Sequence, residues 1–249
     1  MNYNQIAILF SQGALVAFII FLLFHFRRQL GIGVLFSCMV FFQFIQVFLS
    51  SSFTLSITDS FLISPGSSVF FTATIFTLLI IYIKEGANQI GKTIYGLLVI
   101  NLVMLILIQS FTWNLNKVSG DSFNMSTNIF NNSTMDLFVG SVILFLDSLL
   151  IILVFEFISN HVRFLFLRIF LTMFIVISFD TLLFSIIAFW NFEYMNRIII
   201  SGLISRGVFA LFFSILFYFY LRWFDSSDEE TYPFKMKYVF QSMSYKQKF

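Results

Sequence analysis

Seven long apolar stretches divide the chain, and they constrain its fold more than any other feature. They lie near residues 5–26, 31–51, 67–84, 93–112, 136–158, 163–190 and 197–223. Each is long enough to cross the bilayer hydrocarbon of roughly 30 Å, which takes about 20 helical residues. The stretches are continuous rather than alternating with a period of two, which argues against a membrane β-barrel. We therefore expect an all-α, polytopic membrane protein with seven transmembrane helices.

The composition agrees with this class. Of the 249 residues, 59% are hydrophobic and only 10% are charged, and a soluble domain of this length could not enclose that much apolar surface. The sequence contains no nucleophile elbow, phosphate-binding loop, His-Glu zinc motif or dinucleotide fingerprint. We therefore do not expect an enzyme, a metal site, another cofactor or a nucleic-acid partner.

Basic residues set the expected orientation. In a seven-helix arrangement one side of the membrane receives only Lys117 and Arg197. The opposite side receives the basic residues of the other turns and of the tail: Arg27, Arg28, Lys84, Lys92, Arg163, Arg168, Arg222, Lys235, Lys237, Lys246 and Lys248. The positive-inside rule then places the N-terminus outside and the C-terminus in the cytoplasm. We expect an integral protein of the bacterial inner membrane.

The chain is expected to have two parts, a seven-helix transmembrane domain over 1–224 and a cytoplasmic tail over 225–249. In the tail, four apolar residues recur at the spacing of an amphipathic helix: Met236, Val239, Phe240 and Met243. Two interpretations stay open. The helix lies on the anionic inner leaflet, or it is a dimerising signalling helix that passes motion to a downstream partner.

Two connections on the predicted outer side are long enough to matter. Residues 113–135 are polar and rich in Asn and Ser, which predicts an outer loop. Residues 52–68 are mildly amphipathic, and we expect this segment to lie over the mouth of the bundle.

A shift of 71 residues indicates an internal repeat, in which helices 3 and 4 correspond to helices 5 and 6. The matched pairs are Glu85 with Glu156, Lys92 with Arg163 and Gln109 with Asp180. Two helices separate the copies, so they would be parallel repeats around a central site. The alternative is that basic turns simply follow the positive-inside rule.

Three charged residues lie near the middle of apolar stretches: Asp147, Asp180 and Arg206. A charge at the centre of a transmembrane helix costs roughly 2.5–3.5 kcal/mol on insertion scales, so these groups are expected to face each other or a polar cavity. A pair between Asp180 and Arg206 would offset part of that cost and leave Asp147 either protonated or facing water. The triad is either an architectural ion pair or a ligand- or proton-responsive site.

Four amides within the helices complete the candidate site: Gln43, Gln46, Asn101 and Gln109. Such amides often join helices through hydrogen bonds, and for each one alone this structural role is the main alternative. Gln43 and Gln46 share one helix face because they are three residues apart, which favours a cavity lining.

Two segments carry a resemblance to a known group of proteins: RRQLGIGVLFSCMVFFQFIQVFLSS (27–51) and SPGSSVFFTATIFTLLIIYIKEGANQIGKTIYGLLVINL (64–102). They resemble the N-terminal seven-helix membrane sensor region of bacterial signalling proteins of the diguanylate cyclase or histidine kinase type. The tail YVFQSMSYKQKF (238–249) is similar to the linker that joins membrane and catalytic parts there. More distantly, the repeat is similar to the vitamin and queuosine-precursor uptake transporters. Those carry an acidic residue and a Tyr-Gly pair around the corresponding turn, where this chain has only Glu85-Gly86.

Three functions follow as hypotheses. The first is a sensory module that couples a ligand or membrane state to a cytoplasmic effector through helix 7 and the tail. The second is a transporter of a small vitamin-like or nucleobase-like solute, whose path the triad would line. The third is a structural subunit of a membrane complex. The expected partners are the lipid bilayer, a signalling effector and a second copy of the chain.

Overall fold

The structure, a computed structural model, describes residues 3–52, 55–58, 61–117, 127–189 and 195–224. Its α-helices are Tyr3–His25, Arg27–Leu30, Ile32–Ser52, Thr72–Lys117, Thr127–His161, Leu165–Phe189 and Met195–Phe224. A π-helical turn, Gly66–Phe71, opens the longest of them, and a two-stranded hairpin is formed by Leu55–Thr58 and Phe61–Ile63.

Seven helical segments in the described ranges are long and apolar enough to cross a membrane, which confirms the predicted class. We number them spans 1 to 7: Asn4–His25, Ile32–Ser50, Gly66–Gly86, Gln89–Phe111, Phe138–His161, Leu165–Ile187 and Met195–Phe224. Large apolar side chains such as Phe18, Ile106 and Phe157 are exposed on the outside of the bundle. This is the surface that lipid would cover.

Gly86 separates spans 3 and 4. Its backbone has φ 80° and ψ 178°, a conformation that glycine adopts readily because it has no Cβ. The helix Thr72–Lys117 therefore contains two spans joined by a break at this residue.

Span 3 is the centre of the bundle. Within its most apolar window 83% of the residues are buried, against 17% for span 4, and every residue from Phe71 to Tyr82 is buried. Its opening turn contacts spans 1, 2 and 7. Further along, Phe76 stacks on Phe213 of span 7 with 5.3 Å between ring centroids. The other spans are arranged around this helix.

The hairpin connects spans 2 and 3. Its antiparallel register pairs Leu55 with Ile63 and Ser56 with Leu62, and an irregularity follows before Thr58 and Phe61. The first strand packs against span 1 and the second against span 7. This segment was expected to lie over the mouth of the bundle, and its hairpin lies at the end where spans 2 and 7 meet span 3.

The predicted outer loop at 113–135 is shorter than expected, because regular helix extends into it from both sides. One helix continues to Lys117 and the next begins at Thr127.

The opposite end of the bundle carries the basic turns. Arg27 Nε and Glu85 Oε1 form an ion pair at 2.9 Å, and the Arg27 guanidinium lies 3.9 Å from the centroid of the Phe24 ring. Glu85 therefore joins the turn after span 1 to the end of span 3. The tail 225–249 lies outside the described residues, so its amphipathic helix and the domain division at 224 stay predictions. The membrane orientation and the parallel repeat also stay predictions.

Candidate functional site

A cavity of about 300 Å³ lies among spans 2, 3, 5, 6 and 7. Its walls come from the end of span 2, the start of span 3, the start of span 5, the end of span 6 and the start of span 7, so it occupies one half of the bundle. This half of the bundle is the one that carries the hairpin. The lining residues are Gln43, Gln46, Val47, Ser50, Ser64, Ser67, Phe71, Gly140, Ser141, Leu144, Asp180, Thr181, Phe184, Ser185, Ile198, Gly202, Ser205 and Arg206.

An ion pair between spans 6 and 7 forms part of this wall. Arg206 Nη1 contacts Asp180 Oδ2 and also donates a hydrogen bond of 2.9 Å to Thr181 Oγ1. Both charged residues are buried, with 5% of Asp180 and 9% of Arg206 exposed. The pair predicted from the sequence is therefore present, and each charge offsets part of the desolvation of the other.

The guanidinium of Arg206 also faces span 3. Its central carbon lies 4.6 Å from the centroid of the Phe71 ring, within the range of a cation–π interaction. Its Nε is buried and has no hydrogen-bond partner in the part of the chain that the structure describes. One donor of this side chain is therefore unpaired among the described residues.

A serine pair holds span 7 against span 3 beside the cavity. Ser68 Oγ donates a hydrogen bond of 3.0 Å to Ser205 Oγ, which in turn donates one of 3.2 Å to the carbonyl oxygen of Gly202. The sequence analysis identified neither Ser68 nor the cavity residues Ser64 and Phe71. The signal was the run of small residues that opens span 3, since small residues allow helices to approach closely.

Gln43 and Gln46 both line the cavity from span 2, as their spacing predicted. The Oε1 atoms of both are buried and have no hydrogen-bond partner among the described residues. The same holds for Ser64 Oγ, two residues before span 3. The cavity wall therefore contains several polar atoms that nothing within the described ranges satisfies.

Asp147 lies behind the pair rather than in the cavity wall. It is fully buried, and its carboxyl is close enough to interact electrostatically with Asp180 and Arg206. Neither of its oxygens meets an N–H or hydroxyl donor within the described ranges, but its carboxyl lies within hydrogen-bonding reach of the Asp180 carboxyl. The three charges are thus brought together as predicted, but Asp147 does not face the cavity.

The two amides of span 4 do not join this wall. Asn101 is 2% exposed, and both of its amide atoms lack a partner among the residues described. Gln109 is exposed near the end of the span. Asn101 therefore belongs to the buried interior, whereas Gln109 lies on the outer surface of the bundle.

A second polar group lies at the opposite end of the core. The Tyr82 hydroxyl of span 3 donates a hydrogen bond to Glu156 of span 5, and Arg168 of span 6 is close enough to interact with the same carboxyl. Among the described residues, no three His, Cys, Asp or Glu side chains are grouped in a way that could hold a metal ion.

Comparison with known protein families places the chain in one of them. The family model described as "Vitamin uptake-like sensor" matches residues 17–221, a range that begins within span 1 and ends within span 7. No curated protein and no solved structure matches the chain.

Proposed function

The chain belongs to the vitamin uptake-like sensor family and is an integral membrane protein, and we propose that it is a signal-input module whose ligand occupies the cavity beside Arg206. Ligand binding changes the position of span 7, and that span with its tail transmits the change to a cytoplasmic effector. The observation that carries this proposal is that span 7 forms part of the cavity wall and then continues to the opposite end of the bundle.

The length of span 7 supports this coupling. Its helix runs from Met195 to Phe224 without interruption, and 30 residues at 1.5 Å each extend over about 45 Å. Near its start it contributes Ile198, Gly202, Ser205 and Arg206 to the cavity. A rigid-body shift at these residues therefore reaches the end from which the tail continues.

Polar contacts join span 7 to its neighbours beside the cavity. Arg206 is held by Asp180 and Thr181 of span 6, and Ser205 by Ser68 of span 3. A ligand that bonds to the free donor of Arg206 changes the balance of these contacts. Any ligand shifts the bundle only by as much as its affinities for two bundle states differ.

We further propose where the module acts and which partners it has. The module acts without catalysis, in the bacterial inner membrane, with the lipid bilayer around it and a cytoplasmic signalling effector beyond the tail. A homodimer would allow two tails to act together, as the interpretation of 236–243 as a dimerising helix requires. No role with nucleic acid is proposed.

Transport is the second candidate, because a charged pair lines a cavity between the spans and the family description includes the words "uptake-like". In that case Asp180 and Arg206 would lie on a solute path. Sensing and transport differ in one measurable respect, namely whether solute accumulates on the far side of the membrane.

The test uses the full chain in lipid nanodiscs, in a Cys38→Ser background. Spin labels at Phe164→Cys and Trp223→Cys, both exposed at the end opposite the cavity, report the distance between the turn before span 6 and the end of span 7. We expect the small-molecule fraction of a bacterial extract to shift that distance in the parent and in Arg163→Gln. We expect no shift in the double variant Asp180→Asn with Arg206→Gln.

The same extract, applied to proteoliposomes, separates the two candidates. Accumulation of an extract component inside the vesicles, dependent on Asp180, would favour transport. An unchanged distance in all variants, without accumulation, would contradict both a sensory and a transport role for this cavity.

A further inference from the structure

We infer that the ligand of this cavity is a small neutral molecule that offers N–H donors beside a carbonyl acceptor, as an amide or a cyclic urea does, and that it is not an anion. The inference rests on the proposed function, because it specifies the ligand of the same site.

The polar atoms of the wall define the donor and acceptor pattern. Gln43 Oε1 and Gln46 Oε1 are acceptors, Arg206 Nε is a donor, and Ser64 Oγ can act as either. All four atoms belong to residues that line the cavity, each is itself buried, and none has a hydrogen-bond partner within the described residues. A purely apolar ligand would leave all four unpaired, whereas a molecule with N–H and C=O groups completes them.

The groups around the cavity disfavour an anion. Asp180 already neutralises Arg206, and the carboxyl of Asp147 lies behind that pair. A carboxylate or phosphate on the ligand would place a further negative charge next to two carboxyl groups in a region of low dielectric constant. A cationic ligand would instead face the unpaired donor of Arg206. The arrangement therefore favours a ligand without net charge.

The remaining walls are apolar and limit the size of the ligand. Val47, Phe71, Leu144, Phe184 and Ile198 surround a volume of about 300 Å³. Ligand sites commonly combine such apolar walls with a few placed polar groups that fix orientation. A compact planar ligand with its polar groups along one edge matches this combination of apolar walls and a few polar groups.

Three probes of one shape test the inference. 2-Benzimidazolinone is a neutral cyclic urea with both N–H groups. Its 1,3-dimethyl derivative retains the carbonyl but lacks the donors, and its 5-carboxylate carries an added negative charge. The readout is the thermal unfolding temperature of the full chain in detergent as a function of probe concentration.

We expect the dimethyl derivative to need a concentration about a hundred-fold higher than the parent urea for the same rise in unfolding temperature, since it loses two hydrogen bonds and each of roughly average strength corresponds to about ten-fold. The carboxylate should also need a higher concentration than the parent urea, because of its added charge. Gln43→Leu and Gln46→Leu should each remove about ten-fold of this advantage. Gln109→Leu is the matched control, because it removes an exposed amide that does not line the cavity.

Equal or stronger stabilisation by the carboxylate would overturn the inference in favour of an anion site. Equal stabilisation by the dimethyl derivative would show that the glutamine oxygens take no part. No stabilisation by any probe up to its solubility limit would also overturn the ligand class. If the extract still shifts the distance between the two spin labels, the sensory role survives and only the ligand class is wrong.

Discussion

Tyr82 of span 3 donates a hydrogen bond to the carboxyl of Glu156 in span 5, at the end of the bundle opposite the cavity. The same ring lies edge-on to Phe155, with 5.8 Å between centroids. At the cavity end, span 3 is held by the hydrogen bond from Ser68 to Ser205. The central helix is therefore fixed by polar contacts at both ends, and a ligand that moves it must loosen at least one.

Removing the Tyr82 hydroxyl tests the contact at the end opposite the cavity. We expect Tyr82→Phe to lower the free energy of unfolding by about 1–3 kcal/mol, because it leaves the partly buried Glu156 without this donor. Thermal melting of the purified protein measures the effect. Tyr95→Phe is the control, since Tyr95 is 44% exposed on span 4. Equal melting temperatures for both variants would show that the hydrogen bond does not hold span 3.

The buried ion pair predicts a non-additive pair of substitutions. We expect Arg206→Gln alone to destabilise the protein by about 3–5 kcal/mol, because it leaves Asp180 buried without its partner. The double variant with Asp180→Asn should lose less than Arg206→Gln alone, since no unpaired charge remains at those two positions. A double-mutant cycle from thermal or denaturant unfolding measures this coupling.

Arg163→Gln serves as control for that cycle, because Arg163 is exposed in the turn between spans 5 and 6. We expect it to change stability little. If the two single effects simply add in the double variant, the pair does not contribute to stability as a unit.

Asp147→Asn should behave differently from Asp180→Asn. Asparagine has nearly the size of aspartate but no charge, and Asp147 accepts no conventional hydrogen bond within the described ranges and lies next to a second carboxyl. We expect a change within about 1 kcal/mol, because the asparagine amide is neutral and can hydrogen-bond to Asp180 as the Asp147 carboxyl does. Unfolding temperatures of the two variants at neutral pH give the comparison. A loss as large as that of Asp180→Asn would mean that Asp147 has its own stabilising partner.

The seven spans and the charged pair could both be predicted from the sequence, because the bilayer sets strict conditions on what crosses it. A membrane-crossing helix must be long and apolar, and an unpaired charge inside the bilayer is costly. The sequence did not predict that span 3 is central. In a soluble helix the apolar face marks the core, but here lipid-facing Phe18 and core-facing Phe76 are equally apolar. The weaker signal was the group of small polar residues in span 3, among them Ser68, Thr72 and Thr77.

The candidate site was predicted in part for a related reason. Hydropathy places Gln43 and Asn101 at similar depth, but it does not say which helix faces turn toward each other. Packing brought Gln43 to the cavity, whereas Asn101 is buried elsewhere and Gln109 is exposed. Asp147 was expected to be protonated or to face water, and its place behind Asp180 could be seen only once spans 5 and 6 were packed.

Spans 2 and 3 approach each other closely at Gly66, beside the cavity. A Cβ at this position would lie 2.6 Å from the backbone oxygen of Gln46 and 2.8 Å from the backbone nitrogen of Ser50. We expect Gly66→Ala to destabilise the protein by about 1–3 kcal/mol, because backbone cannot move aside as a flexible side chain would. In Gly33→Ala, where nothing lies within 4 Å, stability should be unchanged or slightly higher. Similar melting temperatures for both variants would show that the helices separate easily here.

The orientation of the bundle follows from the basic turns and is tested by labelling single cysteines. Cys38 is the only cysteine of the sequence, so Cys38→Ser gives a cysteine-free background. This background protein is also the control that should not be labelled. Asn160 and Asn196 are both exposed, at opposite ends of the bundle. Asn160 lies near Arg163 and Arg168 in a turn that the positive-inside rule assigns to the cytoplasm. In intact cells a membrane-impermeant maleimide should label Asn196→Cys, and it should label Asn160→Cys only after permeabilisation. The reverse pattern would invert the topology and place the cavity in the cytoplasmic half of the membrane, where a ligand would enter from inside the cell.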